Sequence, residues 1–249
     1  MKGEQGQSLR GVRASGPQQF HGSGILILVV PFVVYLSGMA LGGWLEGPLG
    51  GDAESWYPKS YSLVVGLTLL LMLAVRRGYF FASLSISWLS VVVGVLGTFV
   101  WIGLWWIDRE FLGLGSLFGS AREAFNPFGR FRDDSTWMWS FLAIRFAGLV
   151  VVVPVIEEFF LRGFLMRHID SREWDRVPLG KATWLSVVGV AVYGLLSHPA
   201  EPLSAVVWFS MVTWLYLRTQ SIWDCVLAHA TTNLLLGLYV VGTGTWELW

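Results

Sequence analysis

Seven stretches of this chain are apolar almost from end to end, more than a water-soluble fold of this length can hide. They lie at about residues 25–43, 61–75, 86–107, 137–156 (continuing to about 168), 182–198, 203–217 and 221–242. A helix rises ~1.5 Å per residue, so crossing ~30 Å of hydrocarbon takes about 20 apolar residues. The second, fifth and sixth stretches are short by that measure. Lipid offers no partner to backbone N–H and C=O groups, so each segment must bond to itself as a helix. The chain is 54% hydrophobic and only 14% charged, against about 25% charged in a soluble domain. The expected fold class is therefore all-α, a polytopic membrane helical bundle with about seven transmembrane helices.

Charge says more about orientation than about partners. Lysine plus arginine equals aspartate plus glutamate, 17 of each, so nothing calls for nucleic acid. The first 24 residues are polar, with Lys2, Arg10 and Arg13, and are read as a disordered tail in the cytoplasm. Counting crossings puts that tail, the Arg76–Arg77 turn and the basic segment 162–181 on one side, the cytoplasmic one by the positive-inside rule. Residues 25–136 read as membrane spans plus an interfacial segment of mixed charge from 108. Residues 137–242 read as the functional core. The single cysteine, Cys225, allows no internal disulfide. Tryptophans such as Trp56, Trp88, Trp137, Trp184 and Trp223 recur near span ends, as interface anchors do.

Against this background the polar residues inside the spans carry the information. Glu157 and Glu158 follow the apolar run Val150–Ile156, and Arg162 comes four residues later. A charge in hydrocarbon costs about 2.5–3.5 kcal/mol on insertion scales, so such residues are functional candidates by default. Glu158 and Arg162 share a helix face and are expected to pair. Glu157 is turned away by roughly 100° and cannot use Arg162 in the same way. An acid without a fixed countercharge is the one free to exchange a proton. The alternative is that all three lie at the headgroup boundary and are merely solvated. Arg145, inside the same run, also needs a partner, with Asp108, Glu110 and Asp224 as candidates.

His229 and Asn233 are again four apart and share a face. The alternative there is plain helix packing through the small residues Ala230, Thr231 and Thr232. His198 precedes Pro199, Glu201 and Pro202 and reads equally well as a turn residue. Straight helices put Glu157 at ~15 Å from the cytoplasmic end, His229 at ~12 Å and His198 at ~24 Å, so the third stands out of line.

Glu157-Glu158-x-x-x-Arg162, then His198, then His229-x-x-x-Asn233 together resemble the CAAX protease and bacteriocin-processing family, the Abi-like intramembrane proteases. The resemblance covers roughly 137–242. One feature departs from it. The family commonly has phenylalanine four residues before the middle histidine. Here Gly194 holds that place and Tyr193 sits five before.

The resemblance implies an intramembrane endopeptidase acting on a membrane-associated protein or peptide, in a bacterial inner membrane. It implies water activated by Glu157 with His198 and an oxyanion site made by His229 and Asn233, with Glu158 and Arg162 supporting the site. A metal-free site is favoured. The alternative is zinc on Glu157, His198 and His229, although no His-Glu-x-x-His motif is present. The rival from another class is a non-catalytic membrane scaffold or chaperone with the same fold. A third reading, a proton-coupled transporter, lacks an inverted repeat.

Overall fold

The computed structural model describes residues 24–45, 53–117 and 124–248. The polar tail assigned to 1–24 therefore lies outside the described residues, Gly24 apart. Eight helices carry the architecture: α1 (Gly24–Leu28), α2 (Val30–Leu45), α3 (Ala53–Val75), α4 (Trp88–Ile107), α5 (Ser135–Asp170), α6 (Trp184–Ser197), α7 (Pro202–Thr219) and α8 (Ile222–Thr243). Among the described residues, four spans are long and apolar enough to cross a membrane: Trp56–Phe81, Trp88–Leu112, Ser135–Asp170 and Ile222–Thr243. Val30–Trp44 and Trp184–Ser197 are apolar but shorter. The chain is thus an all-α polytopic membrane bundle, as its apolar runs lead one to expect, with many leucines and several tryptophans, such as Leu70, Trp88 and Trp184, exposed along the spans.

The centre of the bundle is α4, α7 and α8 packed together, with the middle of α5 laid against α8. Small residues set this spacing. A Cβ added to Gly94 would lie 2.6 Å from Thr231 Cβ and 2.7 Å from the Ala228 carbonyl. The contact is therefore backbone against backbone, and lateral hydrogen bonds follow from it. Thr232 Oγ1 donates to Gly94 O (2.9 Å) and accepts from Trp208 Nε1 (3.1 Å), while Ser204 Oγ donates to Trp101 O (3.0 Å). Thr231 and Thr232 thus serve the packing role weighed for them in the sequence. Gly94→Ala is expected to lower stability by about 1–3 kcal/mol, since a backbone carbonyl cannot move aside as a side chain can. The apparent melting midpoint in detergent, read at a fixed scan rate, checks this.

Four charged residues do structural work away from the centre. Asp224, in the first turn of α8, accepts from Ser87 N (2.7 Å) and Ser87 Oγ (3.1 Å), and Ser221 Oγ donates to Ser85 O (2.7 Å). The loop before α4 is tied to the start of α8 this way, with the carboxylate where the helix dipole favours it. Asp108 is likewise committed, accepting from Leu114 N (2.9 Å) and Gly115 N (3.1 Å). Arg145 accordingly takes neither of these two proposed partners; its guanidinium lies over the Tyr61 ring, 4.6 Å from the centroid. Arg167 is not a headgroup cation but is buried, donating to Val177 O, Gly163 O and Asp175 O at 2.8–3.0 Å. It anchors the segment that links α5 to α6.

Candidate active site

Helix α5 is not regular where the acids sit. It widens to π geometry at Gly148–Val152 and again at Phe159–Leu165, with Val153–Glu158 as α-helix between. π-Turns inside α-helices collect at functional sites because they free carbonyls and re-aim side chains. Here the sequence cause is visible. Val153 N–H reaches back to Gly148 O, and Pro154 has no N–H. The Leu149 carbonyl therefore loses both its α and its π donor. Asn233 Nδ2 donates to it from α8 at 2.8 Å. At the second widening Tyr216 Oη donates to Arg162 O at 3.3 Å. Side chains from α7 and α8 thus complete the backbone of α5, which fixes all three helices in register.

The two acids have different surroundings. Glu158 and Arg162 are fully buried, with Arg162 Nη1 2.7 Å from Glu158 Oε2. The other guanidinium nitrogen faces Phe209 O at 3.5 Å and Thr213 Oγ1 at 3.4 Å. The solvated-headgroup alternative does not survive this burial. Glu158 Oε1 lies 3.0 Å from His229 Nδ1. A carboxylate held by arginine accepts, so Nδ1 carries the proton of that contact. Glu157 has no such arginine contact. Its Oε1 accepts from the Tyr193 hydroxyl at 2.5 Å, and its Oε2 stands 3.7 Å from His229 Nε2. His229 is held edge-on by Trp208, with ring centroids 4.6 Å apart.

His198 follows the last turn of α6, its N–H bonded to Gly194 O. The later start of α6 at Trp184 shortens the straight-helix depth of His198 only to ~21 Å, and the histidine belongs to the turn beyond the helix. Its Nδ1 pairs with Ser197 Oγ at 2.8 Å, and its ring packs against Trp101 and Phe209 with centroids 5.4 and 5.7 Å away. The glycine in place of the family's phenylalanine also has a packing reason. A Cβ on Gly194 would stand 2.6 Å from Phe209 Cδ2. The ring that fills this space comes from α7 instead.

Glu157, His198, His229 and Asn233 all line one cavity of about 900 Å³, together with Tyr193 and Ser197. The same cavity extends past Tyr35 and Tyr57 to Arg145. An apolar cavity of that size with a few convergent polar groups is what a bound ligand requires. Sequence reasoning pointed to the four residues, by spacing for Glu157, His229 and Asn233 and by the family resemblance for His198. It missed Tyr193, Trp208 and Ser197 as their neighbours, since the first two touch the site across helices and leave no spacing signal. Among the described residues, no three or more His, Cys, Asp or Glu side chains converge as a group able to hold a metal.

Residues 138–235 match the family model described as Rce1-like, type II CAAX prenyl endopeptidase. No curated protein and no solved structure matches the chain. The matched stretch contains Glu157, Glu158, Arg162, His198, His229 and Asn233. Over residues 138–235 this integral membrane protein is therefore similar to the Rce1-like type II CAAX prenyl endopeptidases.

Proposed function

We propose that this protein is an intramembrane endopeptidase that hydrolyses a peptide bond of a membrane-associated protein or peptide. Glu157 takes a proton from water, and His198, on the same cavity wall, assists in orienting that water. The hydroxide attacks the scissile carbonyl. His229 Nε2 and Asn233 Nδ2 meet the oxygen on which negative charge develops, in a site poor in water, where fixed donors are most effective. One N–H of the Asn233 amide is taken by Leu149 O, which aims the side chain and leaves the second for the substrate. For His229 to present an N–H at Nε2 as well, its ring must carry a second proton, and Glu158 is the countercharge beside it. Protonated Glu157 then returns its proton to the leaving amine.

One observation carries this reading. The only acid of the pair that faces the cavity is the one without a contacting arginine, and the two motif histidines and the asparagine face the same space. A comparison of membranes bearing the wild-type chain with membranes bearing Glu157→Gln tests it. Uncut precursors accumulating in the variant support the reading, and their identity names the substrate. Full biological activity in the variant, with no precursor accumulating, replaces it with the scaffold. Cleavage by the purified protein is expected to persist in excess chelator, with less than a twofold fall in rate. A loss restored by zinc would overturn the metal-free mechanism.

A further inference from the structure

We propose that Tyr193 is a positioning residue of this site: its hydroxyl grips one oxygen of Glu157 and so presents the other to the cavity. The proposal rests on the reading of Glu157 as the base and extends it.

The geometry is that of a charge-assisted bond. Tyr193 Oη donates to Glu157 Oε1 at 2.5 Å, the short end of the range for a hydroxyl on a carboxylate. Oε2, the other oxygen, is then turned toward His229 Nε2, 3.7 Å away. The tyrosine ring is itself held. Phe209 of α7 meets it edge-on at 5.5 Å, while Phe32 of α2 and Phe160 of α5 tilt against it at 6.1 and 6.4 Å. Swinging the hydroxyl away means displacing rings from three helices. A carboxylate on a two-carbon stem has no such rigidity of its own, so the bond transfers the order of the packed ring to the base.

The bond also links two elements that the mechanism needs together. Glu157 comes from α5 and Tyr193 from α6, the helix that ends at His198. Ser197, one turn on from Tyr193, bonds His198 Nδ1 at 2.8 Å. Glu157, Tyr193, Ser197 and His198 thus follow one another along a single wall of the cavity. A phenylalanine in place of Tyr193 fills the same space and supplies no donor. The hydroxyl, absent from every motif in the sequence, is the feature that has a task here.

Tyr193→Phe separates the bond from the packing. The full-length protein is reconstituted in liposomes, with an internally quenched prenylated CAAX-type peptide as probe. The expected result is a fall in kcat of about ten- to hundredfold, the size of a lost hydrogen bond to a charged group. KM and the apparent melting midpoint stay at wild-type values, since ring and contacts remain. A second arm needs no turnover. The infrared carboxyl band of Glu157, isolated as the difference between wild type and Glu157→Gln, is expected to move in Tyr193→Phe and to stay in place in Tyr57→Phe. Wild-type kcat with an unmoved band overturns the proposal. A fall in kcat matched by a fall in melting midpoint also overturns it, because the role is then structural only. A probe cut equally well by Glu157→Gln overturns the assignment of the base instead, and the infrared band still decides whether Tyr193 holds that carboxylate.

Discussion

Purified Glu157→Gln protein is expected to cleave its substrate about 10²–10⁴-fold more slowly than wild type, the range over which a positioned general base acts. The substitution preserves shape. Glutamine still offers an oxygen to the Tyr193 hydroxyl, and the cavity keeps its lining. The ability to take a proton is what is lost, so kcat and kcat/KM should fall together while substrate binding is retained. Melting should be unchanged or slightly higher, because a buried carboxylate beside Glu158 is replaced by a neutral amide. The companion substitution Glu158→Gln has a different signature. It removes the partner of both Arg162 and His229, so stability and turnover should fall together. Rates within a factor of two of wild type for Glu157→Gln would remove this residue from the chemistry, and with it the hydrolytic reading of the cavity.

The contrast between those two acids shows what the sequence made legible. Within one helix, spacing is geometry: Glu158 with Arg162, and His229 with Asn233, could be placed on common faces by counting to four. The apolar runs were equally legible, because lipid leaves the backbone no alternative to helix. What lay outside reach was contact between helices. Asn233 meets the Leu149 carbonyl only because Pro154 and the π-turn empty it, and no residue pattern specifies where α8 will pass. The Gly194 departure from the family pattern had no cause visible in the sequence. With Phe209 crossing from α7, it is a site where a side chain has no room. Arg145 also lies over the Tyr61 ring, a cation–π contact that has no signature in charge counting. Arginines near a span end usually snorkel to the headgroups, yet Arg167 turns inward to one backbone carbonyl of its own helix and two of the linking segment.

Arg162→Met should destabilise the protein by about 3–5 kcal/mol, the usual consequence of removing one member of a buried ion pair. Methionine has nearly the length of arginine and packs readily, so little of the loss comes from a void. The cost lies in Glu158, left fully buried with His229 Nδ1 as its remaining partner. For a chain of this size about 1 kcal/mol corresponds to 2–4 °C, which puts the apparent midpoint roughly 6–20 °C lower. Unfolding from detergent is commonly irreversible, so midpoints must be compared at one scan rate. The double variant Glu158→Gln with Arg162→Met distinguishes the causes. With the orphaned charge removed it should regain most of the lost midpoint, although neither native side chain is present. It should not regain activity to the same degree, because His229 then has no carboxylate to hold its Nδ1 proton or to balance a second one. Recovery of stability without recovery of turnover would separate the two tasks of Glu158, as partner of the arginine and as anchor of the histidine. A single Arg162→Met variant that melts with the wild type would mean that water reaches this pair, and that the acids lie at the membrane surface instead of inside the bundle.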